Sequence, residues 1–154
     1  MKLRARFVVP VDAPVIRDGA VRIEGGLIRE IGRAKNIHGE TTIDYGDAVI
    51  CPGLVNAHTH LQLSEFAGRV PVSADFTGWL HRLRRVALPD SDKPESVRNA
   101  MTMGISSLVS GGTTTVGDIT NQPAWTRNML ASSPLCAVSF GEVIAIGTIR
   151  NRLD

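Results

Sequence analysis

Residues 52–60 read Pro-Gly-Leu-Val-Asn-Ala-His-Thr-His, an apolar run that leaves a Pro-Gly corner and ends in two histidines one residue apart. A short apolar run bounded by a turn is the pattern of a buried strand. Side chains alternate faces along a strand, so His58 and His60 share one face and Thr59 takes the other, with the two histidine Cβ atoms about 7 Å apart. Two imidazoles so placed can converge on one ion, since neutral imidazole binds zinc or iron at about 2.0 to 2.1 Å. Taken alone, the pattern serves equally two strand histidines bonded to their neighbours.

Before this run the chain reads as short strands. Residues 3–9 are rich in Val and Phe, and residues 20–31 flank Gly25-Gly26, which predicts a hairpin whose turn needs positive φ. Residues 43–45 and 48–50 give two more short strands. After the run, Phe76, Trp79, Leu80, Leu83, Val86 and Ala87 fall at helical spacing, with Arg82, Arg84 and Arg85 largely on the other side. A second helix is predicted from Asp92 and Glu95, a capping-box-like start with Pro94 in the first turn, through Val97, Met101, Ile105 and Leu108 to a stop at Gly111-Gly112. Thr113 to Val116 is β-branched and leads to Gly117-Asp118. A short helix near residues 125–131 and an apolar stretch over 135–146 bearing Glu142 complete the pattern. Strand and helix alternate, which predicts a parallel α/β arrangement with right-handed crossovers.

Residues 49–61, with 56–64, 76–80 and 110–118, resemble the amidohydrolase superfamily in its metal-dependent deaminase branch, the cytosine-, guanine-, adenosyl- and aminofutalosine-type enzymes. The resemblance spans about residues 20–147. It implies an α/β fold: residues 1–51 as the N-terminal half of a composite β-sandwich, and residues 52–154 as the first three strand-helix units of a TIM barrel. Such a barrel takes about 250 residues, so the barrel is expected to be incomplete and the chain a truncated product of a longer reading frame. The implied activity is hydrolysis of a non-peptide C–N bond, as in deamination of an aminated heterocycle or nucleoside-like compound. One divalent ion, Zn2+ or Fe2+, would be held by His58 and His60 and would acidify water for attack on an amidine-like carbon. Ammonia would leave after protonation by an acid, and the acid/base residues are expected beyond residue 154.

In this architecture the site lies at the C-terminal ends of the strands, which makes Asp118 and Glu142 substrate-binding candidates. Gln62 joins them because it continues the face of His58 and His60, and Trp79 because it resembles an aromatic on the helix that covers the pocket in the family. Each has a plainer alternative. Gln62 suits a rim hydrogen-bonder, Trp79 a core position, and Asp118 and Glu142 a helix cap or loop brace. His38 and His81 sit among polar and basic residues and are expected to be solvated.

Seventeen Lys and Arg against fifteen Asp and Glu leave a net charge of +2, spread over the chain. That balance points to no nucleic acid and no membrane as partner, and the resemblance implies a small-molecule substrate. No apolar run approaches a membrane span of about 18 residues, and a cytoplasmic location is expected. Cys51 and Cys136 form no C-x-x-C pattern and are expected to be buried thiols. Three strands of a closed barrel leave two unpaired edges and an uncovered inner face. That raises a second chain supplying the rest of the barrel, and with it the alternative of a non-catalytic metal-binding remnant or one chain of a split enzyme. A cupin reading of Gly53, His58, His60 and Glu65 conflicts with the helical spacing of residues 95–111.

Overall fold

The computed structural model describes residues 1–87 and 93–143. The chain divides into two compact units, Met1–Pro52 and Gly53–Asp154.

The first unit is a five-stranded sheet. Strands β1 (Lys2–Val8), β2 (Ile16–Glu24) and β3 (Leu27–Arg33) form an antiparallel meander. On its other side β1 pairs in parallel with β4 (Thr42–Asp44) and then β5 (Val49–Ile50). The predicted hairpin turn is present: Gly25 and Gly26 have φ of 60° and 75°, a region that costs glycine nothing. Ala20, Ala34 and Ile37 make a small core. Arg4 bridges Asp18 and Asp44, at 2.8 and 2.9 Å. Leu27, Ile28, Ile31 and Val49 are exposed, so this sheet hides only part of its apolar surface.

The second unit is a parallel sheet in the order β6-β7-β8, formed by Leu54–Thr59, Thr113–Thr120 and Cys136–Gly141. A 3-10 helix (Leu61–Phe66), α1 (Phe76–Ala87) and α2 (Pro94–Ser110) lie between β6 and β7, and α3 (Pro123–Ala131) lies between β7 and β8. Parallel neighbours require such crossovers, because a tight turn cannot return the chain to the same end of a sheet. Leu61, Val97, Met101, Val116, Leu130 and Leu135 form the core, with Ile105, Leu108 and Met129 packed against it. At α2 the helical period therefore selects the buried face as read from sequence. Gly117 meets a tight constraint of another kind: a Cβ there would stand 2.5 Å from the Ala57 carbonyl oxygen of β6.

Several expectations change. Strand β6 ends at Thr59, so Gln62 lies on the 3-10 helix and does not continue the strand face. Strand β7 runs two residues past Asp118, because Ile119 and Thr120 still pair with Phe140 and Gly141. Cys51 and Cys136 are both exposed. Cys51 follows β5 in a connection, and Cys136 opens β8, which among the described residues pairs with β7 alone. Trp79 is 37% exposed, not core. The N-cap of α2 is Lys93, with Pro94 and Glu95 in the first turn as predicted; Asp92 lies outside the described residues, as do residues 144–154 of the last apolar stretch. The helix α2 rules out an all-β jelly roll, and Glu65 accepts a hydrogen bond from Ser96 at 2.6 Å. Leu54, Val55, Val138 and Phe140 are exposed on the outer strands. Among the described residues no helix is long and apolar enough to cross a membrane.

Candidate functional site

Three parallel strands bring their C-terminal ends together, and the chemistry-bearing side chains gather there. His58 lies in β6, and its backbone N–H donates to Asn56 Oδ1 at 3.2 Å. His60 follows the strand, with φ −122° and ψ 79°, neither strand nor helix. The two imidazoles meet edge to face, with ring centroids 5.5 Å apart. Glu142 follows β8, where its backbone N–H donates to the Thr120 carbonyl at 2.7 Å. That bond holds the Glu142 carboxylate 3.9 Å from His60 Nδ1, with both side chains about two-thirds buried. The contact is an ion pair when His60 is protonated and is too long for a hydrogen bond.

Asp118 is fully buried. Its Oδ1 accepts the Leu61 N–H at 3.0 Å, and its Oδ2 has no hydrogen-bond partner among the described residues. Burial pushes the Asp118 carboxyl above the usual carboxylate range, while the Leu61 N–H and the charge of His60 pull it back down. The strand register explains the burial, since Asp118 pairs with Thr59 in the middle strand.

Gln62 is clamped on both sides of its amide. Its Nε2–H donates to Asn121 Oδ1 at 2.9 Å, and its Oε1 accepts from the Thr120 hydroxyl. The Thr120 oxygen in turn accepts the Gln122 N–H at 3.0 Å. Thr120 and Asn121 were not anticipated from sequence, where they stand far from Gln62 and outside any motif. Trp79 stacks with Phe76 on α1 at 5.7 Å, an exposed aromatic pair. His38 and His81 are exposed, as expected.

The histidine pair fits a shared ion. Imidazoles bound to one metal at about 2.0 to 2.1 Å and tetrahedral angles have centroids about 5 Å apart, close to the spacing here. A buried carboxylate with one oxygen unpartnered also calls for positive charge nearby. The set is partial: among the described residues no group of three or more His, Cys, Asp or Glu is arranged to hold a metal ion.

This arrangement of parallel strands and paired histidines defines a class, and the comparisons agree with it. The chain belongs to the amidohydrolase family, whose pattern matches residues 49–145. It is 32% identical over 126 residues to the 5-methylthioadenosine/S-adenosylhomocysteine deaminase of Nitratidesulfovibrio vulgaris, covering 76% of this chain and 27% of that enzyme. It is also 32% identical over 108 residues to the 5'-deoxyadenosine deaminase of Methanosarcina acetivorans, covering 70% and 24%. The chain thus spans about a quarter of the length of these curated relatives. Among solved structures, Helicobacter pylori aminofutalosine deaminase, in complex with methylthio-coformycin, superposes with a TM-score of 0.74 and 24% identity over 99% of this chain and 37% of that one. Guanine deaminase from C. acetobutylicum, with guanine bound, gives 0.74 and 17% over 90% and 35%. These likenesses bear out the fold read from sequence: a sandwich-like N-terminal sheet followed by the opening part of an amidohydrolase barrel.

Proposed function

We propose that this chain carries the His-x-His half of a divalent metal centre, and part of the substrate wall, of a hydrolase acting on a non-peptide C–N bond. The favoured reaction is deamination of an aminated heterocycle or nucleoside-like compound. The observation that carries this reading is the imidazole pair, 5.5 Å between centroids, at the C-terminal end of the first parallel strand. His58 and His60 would hold Zn2+ or Fe2+, which when bound acidifies water and polarises the carbon under attack. Glu142 orients His60 by charge from one side. Gln62, with both amide ends engaged, offers one further N–H and one lone pair in fixed directions, suited to a ring nitrogen or exocyclic amine. The Phe76 and Trp79 rings offer an aromatic surface for a heterocycle.

The two-histidine set favours a second reading, in which the remaining ligands and the acid/base groups come from further polypeptide, continuous with this one or a second chain. Catalytic zinc usually keeps three protein ligands. Zinc titration combined with ammonia release from adenosine-, guanine- and cytosine-type substrates tests both. Zinc binding with release supports catalysis by the chain itself. Binding without release, followed by release when a chain carrying the later barrel strands is added, supports the split enzyme, and binding with no release under either condition supports a non-catalytic metal-binding remnant. Absence of zinc binding at His58 and His60, both in this chain alone and with that chain added, refutes all three.

A further inference from the structure

We infer that Asp118 is a positioning residue: by holding the Leu61 N–H it fixes the turn that ends β6, and so sets His60 against His58. The inference rests on reading those histidines as a pair.

The β6–β7 ladder ends at the Thr59–Asp118 pairing, and beyond it the chain leaves the sheet. His60 therefore has no strand register to aim its ring. Its direction follows from what pins the residues on either side. Thr59 is held in the ladder. Leu61 is held by its backbone N–H on Asp118 Oδ1 at 3.0 Å and by its side chain in the core beside Met101 and Val116. One residue further, Gln62 is tied to Thr120 and Asn121 on the same strand end. The end of β7 thus grips two successive residues after His60, and Asp118 makes the nearer grip. Its burial with Oδ2 unpartnered is unfavourable in itself. A role in filling space would be served as well by an apolar side chain, whereas the bond to Leu61 requires an acceptor at this point.

The test is histidine and amide NMR on the 154-residue chain, comparing wild type with Asp118→Asn, Asp118→Ala and the core control Leu130→Ala. Asparagine keeps an Oδ1 acceptor. Wild type and Asp118→Asn should show cross-relaxation between the His58 and His60 rings and slow exchange of the Leu61 amide. Asp118→Ala should lose both. Leu130→Ala, destabilised elsewhere in the same core, should keep the ring contact. Zinc affinity, followed on the two histidine Hε1 resonances, should fall about tenfold or more in Asp118→Ala and hold in Asp118→Asn, the range seen when a supporting partner of a metal ligand is removed. Retention of ring contact and affinity in a folded Asp118→Ala would overturn the inference. So would their loss in a folded Asp118→Asn, which decides the matter if the alanine variant does not fold. If the ring contact follows this pattern but zinc moves neither histidine in wild type, the metal reading fails and the positioning role stands.

Discussion

Gly117 and Gly141 stand in adjacent strands, and the same substitution should have opposite consequences at the two. A Cβ at position 117 would lie 2.5 Å from the Ala57 carbonyl oxygen and 3.0 Å from its carbon. These are backbone atoms of β6 and cannot rotate aside as a side chain would. Among the described residues a Cβ at position 141 meets nothing within 4 Å. Replacing a strand glycine by alanine gains about 0.5 to 1 kcal/mol by restricting the unfolded chain. At Gly141 that gain is unopposed, so Gly141→Ala should be neutral or more stable by up to about 1 kcal/mol. At Gly117 it is opposed by overpacking of about 1 to 3 kcal/mol, leaving a net loss of up to about 2.5 kcal/mol. Urea unfolding followed by circular dichroism measures both from midpoints at a common slope. Because Ala57 precedes His58, Gly117→Ala should also disturb the histidine ring contact. A Gly117→Ala protein at least as stable as Gly141→Ala would refute the close approach of β6 and β7.

Asp118 supplies a pH test. Its carboxyl is raised in the folded state, so the folded protein holds this proton more tightly than the unfolded chain. Its contribution is therefore most favourable below the unfolded carboxylate value of about 3.9, and it is lost as pH rises through the raised folded value. Wild-type stability minus that of Asp118→Asn, from paired urea melts, should decline over that window, and a difference flat with pH contradicts the burial. Thr120→Val removes two hydrogen bonds at a fully buried position and should cost about 1 to 3 kcal/mol, whereas an unchanged midpoint would contradict the Gln62 clamp. Both cysteines should react with a thiol reagent in the native state without denaturant, since both are exposed.

What was legible in the sequence is what local physics decides. The Gly25-Gly26 turn demands positive φ and the Val97-Met101-Ile105-Leu108 spacing demands a buried helix face, and both are present. The His58 and His60 rings meet, but His60 lies past the strand end, so strand alternation does not account for it. What escaped were consequences of pairing between distant segments. The end of β6 at Thr59 moved Gln62 onto a 3-10 helix, and its partners Thr120 and Asn121 come from a strand that no motif links to it. Asp118 was read as a substrate-binding candidate or a loop brace, and the Thr59 register sets it in the central strand with the Leu61 N–H on its Oδ1. The cysteines read as buried thiols and Trp79 as a pocket aromatic or a core position; the described residues leave all three exposed.

The central claim is that His58 and His60 share one divalent ion, and X-ray absorption at the zinc edge of the zinc-loaded chain tests it most directly. Two imidazole nitrogens at about 2.0 to 2.1 Å, reduced in His58→Ala and again in the double variant with His60→Ala, are the predicted result. A zinc environment without imidazole, or one that neither substitution alters, would contradict it.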